Sequence, residues 1–292
     1  MAFKFTADVF AWFPDGEVKQ MSPGNGVYYQ ACIHPMGSDV LYAGAAGGPP
    51  RIWRTGLKDR KTTPLTPVES GARHPVFAKD GSKVVYTSDR DSGEPSQIVE
   101  EMGPGWGSMP RQGNIFLLDC ETGEELKLTN GVCCDQRPCF DPTGTKVVFV
   151  SNRTGQNALW SVPVDGNALP EPLAYTGPAY RPWFSLDGEW LYFFRTIDNC
   201  DRIRRVRFAG AEDEPVLNDD RGNSHGPFVD PGGDALLMHS TREDGHYAIY
   251  ELPLDGTTPR RMDPPGFPSA LHASRSENGI VAFDVIHPGL RK

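Results

Sequence analysis

The chain repeats one pattern of strands and turns along most of its length. The clearest copies read HPVFAKDGSKVVYTSDR from His74, RPCFDPTGTKVVFVSNR from Arg137 and RPWFSLDGEWLYFFRT from Arg181. Looser copies begin at Gln30 and near His225. In each copy a short strand leads through a glycine turn into an apolar strand. A period of roughly 45 residues with four short strands per unit is typical of β-propeller blades. The sequence therefore predicts an all-β fold.

The first strands of the units predict six blades. They begin at Gln30, His74, Arg137, Arg181, near Gly226 and near His272. The last unit is too short for four strands, while residues 8–22 supply two strands with nothing before them. We therefore expect a six-bladed propeller, with residues 1–292 as a single domain, closed by a composite blade from both termini. Such closure removes open sheet edges. The segment 91–112 is predicted to be an insertion that projects from one face.

Composition and charge argue against several classes of partner. The formal net charge is -9 and the isoelectric point is near 5.3, so we expect no nucleic-acid partner, because that binding depends on a basic face. No apolar run reaches spanning length and the N-terminus does not read as a signal peptide, so we expect no membrane association. The six cysteines include the adjacent pair Cys133 and Cys134, which suits a disulfide framework poorly. Reduced thiols and a cytoplasmic location are expected.

A ring of polar side chains is predicted at one mouth of the central channel, because the first strand of each blade lines that channel. When the units are aligned on the glycine turn, six polar residues fall at or beside one repeat position. They are Gln30, His74, Arg137, Arg181, His225 and His272. Imidazoles and an amide oxygen are suitable ligands for a divalent metal. Gln30, His225 and His272 are therefore the predicted metal ligands.

The remaining ring residues suit chemistry on an acidic ligand. Arg137 and Arg181 can bind a carboxylate bidentately, with Gln30 as a further substrate contact. His74 is the predicted proton acceptor, and the two arginines complete the predicted catalytic set by neutralising developing charge. A structural role stays open, in which ring residues satisfy backbone carbonyls and the arginines pair with aspartates such as Asp135. The histidines outside the ring, including His239, are expected at the surface or in structural contacts.

Two family resemblances add to this interpretation. The repeats resemble those of TolB-type β-propellers over nearly the whole chain. The segment from Gly16 to Gly44, with Met21-Ser22-Pro23 and Tyr28-Tyr29-Gln30, is similar to the opening of oligogalacturonate lyases. The units near His225 and His272 also resemble later blades of that family. The resemblance implies a manganese ion held by histidines and a glutamine, and cleavage of short uronides by β-elimination. The chain is shorter than typical members.

The expected function is metal-assisted β-elimination on an oligouronide or related acidic sugar at the channel mouth. The expected cofactor is a divalent metal, Mn²⁺ by resemblance, and the expected partner is a small anionic sugar or other small ligand. Two alternatives stay open. One is a non-catalytic TolB-type propeller that binds a protein segment or small ligand, and the other is hydrolysis or isomerisation at a metal held by the propeller. Three imidazole nitrogens converging at one mouth would favour the lyase.

Overall fold

β-Strands make up almost all of the regular structure in the computed structural model. It describes residues 5–46, 48–92, 112–217, 221–267 and 269–288. These ranges contain no α-helix, only a short 3-10 turn at Arg90–Ser92. None of their segments is a helix able to span a bilayer. The all-β prediction is confirmed. The predicted insertion 91–112 lies mostly outside the described residues.

The strands follow one another in short succession. In chain order they are β1 (Phe5–Trp12), β2 (Val18–Gln20), β3 (Val27–Ile33), β4 (Asp39–Ala45), β5 (Arg51–Gly56), β6 (Thr62–Pro64), β7 (Ala72–Phe77), β8 (Lys83–Ser88), β9 (Asn114–Asp119), β10 (Glu125–Lys127), β11 (Asp135–Phe140), β12 (Lys146–Ser151), β13 (Ala158–Pro163), β14 (Glu171–Pro172), β15 (Tyr180–Phe184), β16 (Trp190–Ile197), β17 (Cys200–Arg207), β18 (Asp213–Pro215), β19 (Ser224–Val229), β20 (Ala235–Ser240), β21 (Ala248–Pro253), β22 (Arg260–Arg261), β23 (Ala270–Arg275) and β24 (Val281–Pro288).

The described strands form five sheets. Four sheets have four strands each and comprise β7 to β10, β11 to β14, β15 to β18 and β19 to β22. The fifth has eight strands, in the order β23, β24, β1, β3, β4, β5 and β6, with β2 paired to β1. Both ends of the chain meet in this sheet, because β1 pairs antiparallel with β24 and Phe10 lies opposite Phe283. The termini thus share one sheet, as predicted.

The prediction of six separate blades is wrong. The structure has four separate four-stranded blades, and the strands expected to form two more are joined in the eight-stranded sheet. The join is a short parallel contact between β1 and β3, where Ala7 lies opposite Val27. The Ala7 N–H also donates to the Gly26 carbonyl at 3.4 Å. A hydrogen-bonded contact of this kind makes one sheet of two sets of strands.

Six of the described strands surround the central channel. They are β3, β7, β11, β15, β19 and β23, and each contacts the next, with β23 returning to β3. The contacts therefore close a ring around a common axis, which is the geometry of a β-propeller. We call these six the innermost strands.

The core lies between neighbouring sheets, so most strands are buried on both faces. In β8, Val84 and Tyr86 pack toward the eight-stranded sheet, whereas Val85 packs toward the blade of β11 to β14. Successive side chains of a strand point to opposite faces, so an apolar run suits a sheet covered on both sides. A further cluster, which includes Val9 and Tyr42, joins the two halves of the eight-stranded sheet.

All six cysteines are free, and Cys32, Cys134 and Cys139 are buried. Burial raises the pKa of the Cys32 thiol to about 11 and that of Cys134 to about 12. A thiol needs its thiolate form to react, so these two are unreactive near neutral pH.

The terminal strands should contribute strongly to stability. Phe283 of β24 is fully buried, with its ring 5.7 Å from that of Phe10 and 5.6 Å from that of Phe267. Phe283→Ala should therefore lower the free energy of unfolding by about 3–5 kcal/mol in urea denaturation. The exposed control Leu169→Ala should change it by less than about 0.5 kcal/mol. Equal effects of the two changes would show that the terminal strands unfold independently of the rest.

Candidate functional site

A left-handed residue interrupts each innermost strand at the same place. In all six strands the pairing shifts register once, and the residue at the shift has a positive φ. These residues are Gln30 (61°), His74 (55°), Arg137 (53°), Arg181 (55°), Gly226 (62°) and His272 (50°). Residues other than glycine rarely adopt this conformation, and a bulge changes the direction of the side chain it carries. We call these six residues the channel ring.

The channel ring contains five of the six residues placed there from the sequence. The exception is His225, because Gly226 occupies the left-handed position in β19 and His225 precedes it. A Cβ on Gly226 would lie 2.7 Å from Arg181 Nη1 and 2.9 Å from His239 Cε1. Because glycine has no Cβ, the Arg181 guanidinium has room at this position.

Arg137 and Arg181 bring two positive charges into the channel. They line a cavity of about 40 Å³ together with Gln30 and His74. Arg137 is only 6% exposed, and neither arginine forms an ion pair with a carboxylate of the described residues. Burial lowers the pKa of Arg137 to about 10, and burial together with the charge of Arg137 lowers that of Arg181 to about 9. Asp284 acts on Arg181 as an opposite charge and raises its pKa, whereas Arg137 has no such carboxylate within the described ranges, and a charge removed from water without a counter-charge is costly.

The predicted structural role for these arginines, pairing with Asp135, is not what the structure shows for Arg137. Asp135 Oδ2 instead accepts from Arg153 Nη2 at 2.6 Å. Arg137 Nε is buried and has no hydrogen-bond partner among the described residues. The guanidinium of Arg137 is thus left facing the small cavity.

Asp284 of β24 fixes two other members of the ring. Its carboxylate is fully buried and accepts from the Gln30 backbone N–H at 3.0 Å and from His272 Nδ1 at 2.9 Å. The Gln30 amide oxygen in turn accepts from the His74 backbone N–H at 2.9 Å. A carboxylate on Nδ1 selects the tautomer in which His272 Nε2 has a free lone pair.

Three imidazoles pack together near these arginines. The rings of His225 and His239 are parallel at 5.3 Å, and His272 meets His239 edge-on at 5.0 Å. Burial lowers the pKa of all three, to about 3 for His225, and the charges of Arg137 and Arg181 act in the same direction. The imidazoles are therefore neutral at neutral pH, whereas the guanidiniums remain charged.

Of the predicted metal ligands Gln30, His225 and His272, only His272 keeps a nitrogen available in this arrangement. The oxygen of Gln30 accepts from the His74 backbone N–H, whereas Asp284 contacts only Nδ1 of His272 and leaves Nε2 free. His225 Nε2 lies 2.8 Å from the Tyr247 hydroxyl, and its Nδ1 lies 3.3 Å from Asp201 Oδ2. Across the described part of the chain, no group of three or more His, Cys, Asp or Glu side chains is placed to hold a metal ion. The metal therefore stays a prediction without geometric support.

A wider space opens from the small cavity toward the carboxyl ends of the innermost strands. Its volume is about 260 Å³, and it shares Cys32, Val76, Trp183 and Phe228 with the smaller cavity. We call this space the antechamber. Because the two cavities share these walls, they adjoin each other, and the arginines line only the smaller one.

Several residues of the channel were not predicted from the sequence. His239, expected in a peripheral position, is 3% exposed and lies between His225 and His272. Asp284 was also missed. A signal was available, since both are ionisable residues that follow an apolar run in strands, ALLMHS and VAFDVIHP, that are buried over most of their length. An ionisable side chain in such a strand must find a polar partner inside the protein.

Comparisons with known proteins agree with this geometry. Residues 108–267, more than half of the chain, match the family model described as TolB beta propeller domain. A TolB homologue of Chlorobium luteolum is 26% identical over 143 residues, which cover 41% of this chain and 33% of that protein. The matched segments span only 32% to 39% of the length of the curated relatives.

Solved structures with the same fold include TolB proteins and lyases. A TolB-like protein from Agrobacterium tumefaciens superposes with a TM-score of 0.74 at 16% identity, over 97% of this chain and 99% of that one. An oligogalacturonate lyase in complex with manganese superposes with a TM-score of 0.59 at 16% identity, over 96% and 79%. At such identities the likeness establishes the fold alone.

Folding stability should fall as the pH drops below about 6.5. The unfolded chain protonates its histidines near pH 6.5, whereas burial keeps His225 neutral down to about pH 3 in the folded protein. The contribution of a neutral His225 is therefore complete above pH 6.5 and is lost as the pH decreases. Each such histidine adds a slope that approaches about 1.4 kcal/mol per pH unit.

This dependence can be measured by urea unfolding between pH 6.5 and pH 5. His225→Gln should flatten the plot of unfolding free energy against pH by up to about 1.4 kcal/mol per pH unit. The exposed control His246→Gln should leave the slope unchanged. If the His225 variant keeps the wild-type slope of unfolding free energy against pH, the claim that His225 is neutral in the folded protein is contradicted.

Proposed function

Because the chain belongs to the TolB beta propeller domain family, we propose that it is a propeller whose central channel binds a small carboxylate-bearing anion between Arg137 and Arg181. The observation that carries this proposal is the pair of channel arginines without an ion-pair partner among the described residues. An anion would supply the missing counter-charge, and a guanidinium matches a carboxylate bidentately.

Neighbouring polar atoms support the same ligand chemistry. Arg137 Nε and His74 Nε2 are buried and have no hydrogen-bond partner among the described residues. Buried polar groups in folded proteins are almost always paired, with protein, water or ligand. An oxyanion in the small cavity would accept from the arginine, and a His74 tautomer with its proton on Nε2 would donate a further hydrogen bond. The cavity of about 40 Å³ is suited to one acidic group.

Removing one of these arginines should have two separable effects. Arg181→Gln should raise the dissociation constant for acetate at least about tenfold, because hydrogen bonds to a charged group are lost. The same change should raise the melting temperature of the ligand-free protein, because the repulsion between the charges of Arg181 and Arg137 is removed. Calorimetric titration and thermal unfolding measure the two effects.

The matched control is Arg207→Gln, since the Arg207 side chain is 63% exposed and lies outside the small cavity. This change should leave acetate affinity as it is. Wild-type protein that binds neither acetate nor inorganic phosphate would overturn the proposed function. Arg181→Lys should bind more weakly than wild type, because an ammonium cannot reproduce the bidentate fork.

A second candidate function is β-elimination on an acidic sugar, the activity predicted from the sequence. It is favoured by the contact between His272 and Asp284, which leaves a neutral imidazole close enough to Arg181 for that charge to lower its pKa. In this reaction the imidazole accepts the proton from the carbon beside the carboxylate. The electron pair of that C–H bond forms the new double bond, and the glycosidic oxygen departs with its bonding pair. Arg181 would neutralise the charge that develops on the carboxylate.

Cleavage of a digalacturonide should then create a conjugated product that absorbs in the ultraviolet. His272→Ala should abolish the absorbance change, because the proton acceptor is lost, whereas His246→Ala should leave it unchanged. Parallel assays with a chelator and with added Mn²⁺ test the metal prediction, since activity that survives the chelator needs no metal. If no uronide gives a product, with or without Mn²⁺, the lyase candidate is overturned and carboxylate binding remains as the proposed function.

A further inference from the structure

The antechamber has a wall whose chemistry differs from that of the channel ring. Its inner surface comes from the second and third residues after the ring position in five of the six innermost strands. Examples are Val76 and Phe77 in β7, Trp183 and Phe184 in β15, and Phe228 and Val229 in β19. These are the apolar positions of the repeated strand, so the pattern that builds each blade also builds this wall. Among them Trp183 and Phe228 pack together, with ring centroids 4.7 Å apart.

The antechamber is lined by the exposed residues Lys79 and Glu277, but its other charged side chains are engaged with the protein itself. Arg275 Nη1 donates to Asp230 at 2.7 Å and to Glu251 at 2.9 Å. Asp141 Oδ1 accepts from the backbone N–H groups of Thr145 and Lys146 at 2.8 Å. A hydroxylated ligand would therefore find few partners along the wall, and a ligand hydroxyl buried without a partner is unfavourable.

We infer that the ligand of this site is an amphipathic monocarboxylate, with its acidic group at Arg137 and Arg181 and an aliphatic or aromatic body in the antechamber. The inference rests on the proposed function, because it assigns the body of the anion that the arginines bind. The antechamber of about 260 Å³ is near the lower end of the size range of small-molecule sites. The antechamber adjoins the small cavity at Val76, Trp183 and Phe228, so the acidic group and the body of one molecule have neighbouring spaces to occupy.

A chain-length series tests this assignment on the full-length protein. Calorimetric titrations with acetate, butyrate, hexanoate and octanoate should show the dissociation constant falling by about fourfold for each methylene buried, until the antechamber is filled. Galacturonate carries the same acidic group on a hydroxylated ring. It should bind no more tightly than butyrate.

A variant in the antechamber separates the body of the ligand from its acidic group. Leu186 lines the antechamber and is 42% exposed, so Leu186→Asn replaces apolar surface without disturbing the core. Octanoate affinity should fall by about threefold or more, because apolar contact is lost, while acetate affinity stays unchanged. The control Leu169→Asn, at a leucine that is 84% exposed and outside both cavities, should change neither affinity.

The outcomes distinguish this inference from the proposed function. If acetate binds in an Arg181-dependent way but affinity does not rise with chain length, the proposed anion binding is supported. The inference that the ligand has an apolar body in the antechamber is then overturned. Galacturonate binding more tightly than octanoate would likewise overturn the inference. So would a short peptide that binds more tightly than octanoate and loses binding when its C-terminus is amidated. Failure of every anion to bind would overturn the proposed function as well.

Discussion

The left-handed residue in each innermost strand determines where the polar groups of the channel lie. Five of the six are not glycine, and each such residue is strained by about 1–2 kcal/mol relative to ordinary backbone. The bulge also leaves the next residue out of the ladder, and in four strands that residue is a proline, at positions 75, 138, 182 and 227. Proline has no N–H, so no donor is left unpaired there. In β3 the equivalent Ala31 N–H lies 3.4 Å from Asp284 Oδ1.

The electrostatics of the channel follow from that arrangement. The ring brings two guanidiniums close enough for the charge of Arg137 to lower the pKa of Arg181, and both lower the pKa of the imidazoles that pack nearby. The histidines are therefore neutral near neutral pH, whereas the arginines stay protonated and charged. The channel therefore carries two guanidiniums beside neutral imidazoles, which suits the anion proposed as its ligand. The two guanidiniums disfavour a cation beside them, because like charges repel.

The sequence predicts the ring because the repeats align and carry unusual residues at one position. His74, Arg137 and Arg181 each precede a proline in the same pattern, so their equivalence is readable without a structure. In the fifth copy, which reads His-Gly-Pro, the sequence places His225 at or beside the ring position, and the structure puts Gly226 at that position with His225 one residue before it. The number of separate sheets was not predictable, since the join depends on a contact near Ala7 that has no local signal. The contact of Gln30 with Asp284 could not be predicted in this way, because the two residues are 254 positions apart in the chain. The metal set itself stays a prediction.

Asp284 connects closure of the fold to assembly of the site. It lies on β24, the C-terminal strand that pairs with N-terminal β1, yet its carboxylate contacts the Gln30 backbone in β3 and the His272 ring in β23. Gln30 then contacts the His74 backbone in β7. Of these contacts, the one between Asp284 and Gln30 joins the two ends of the chain, so this part of the ring depends on closure of the propeller. A ligand that binds the assembled ring would therefore stabilise the closed propeller relative to forms in which β24 has detached.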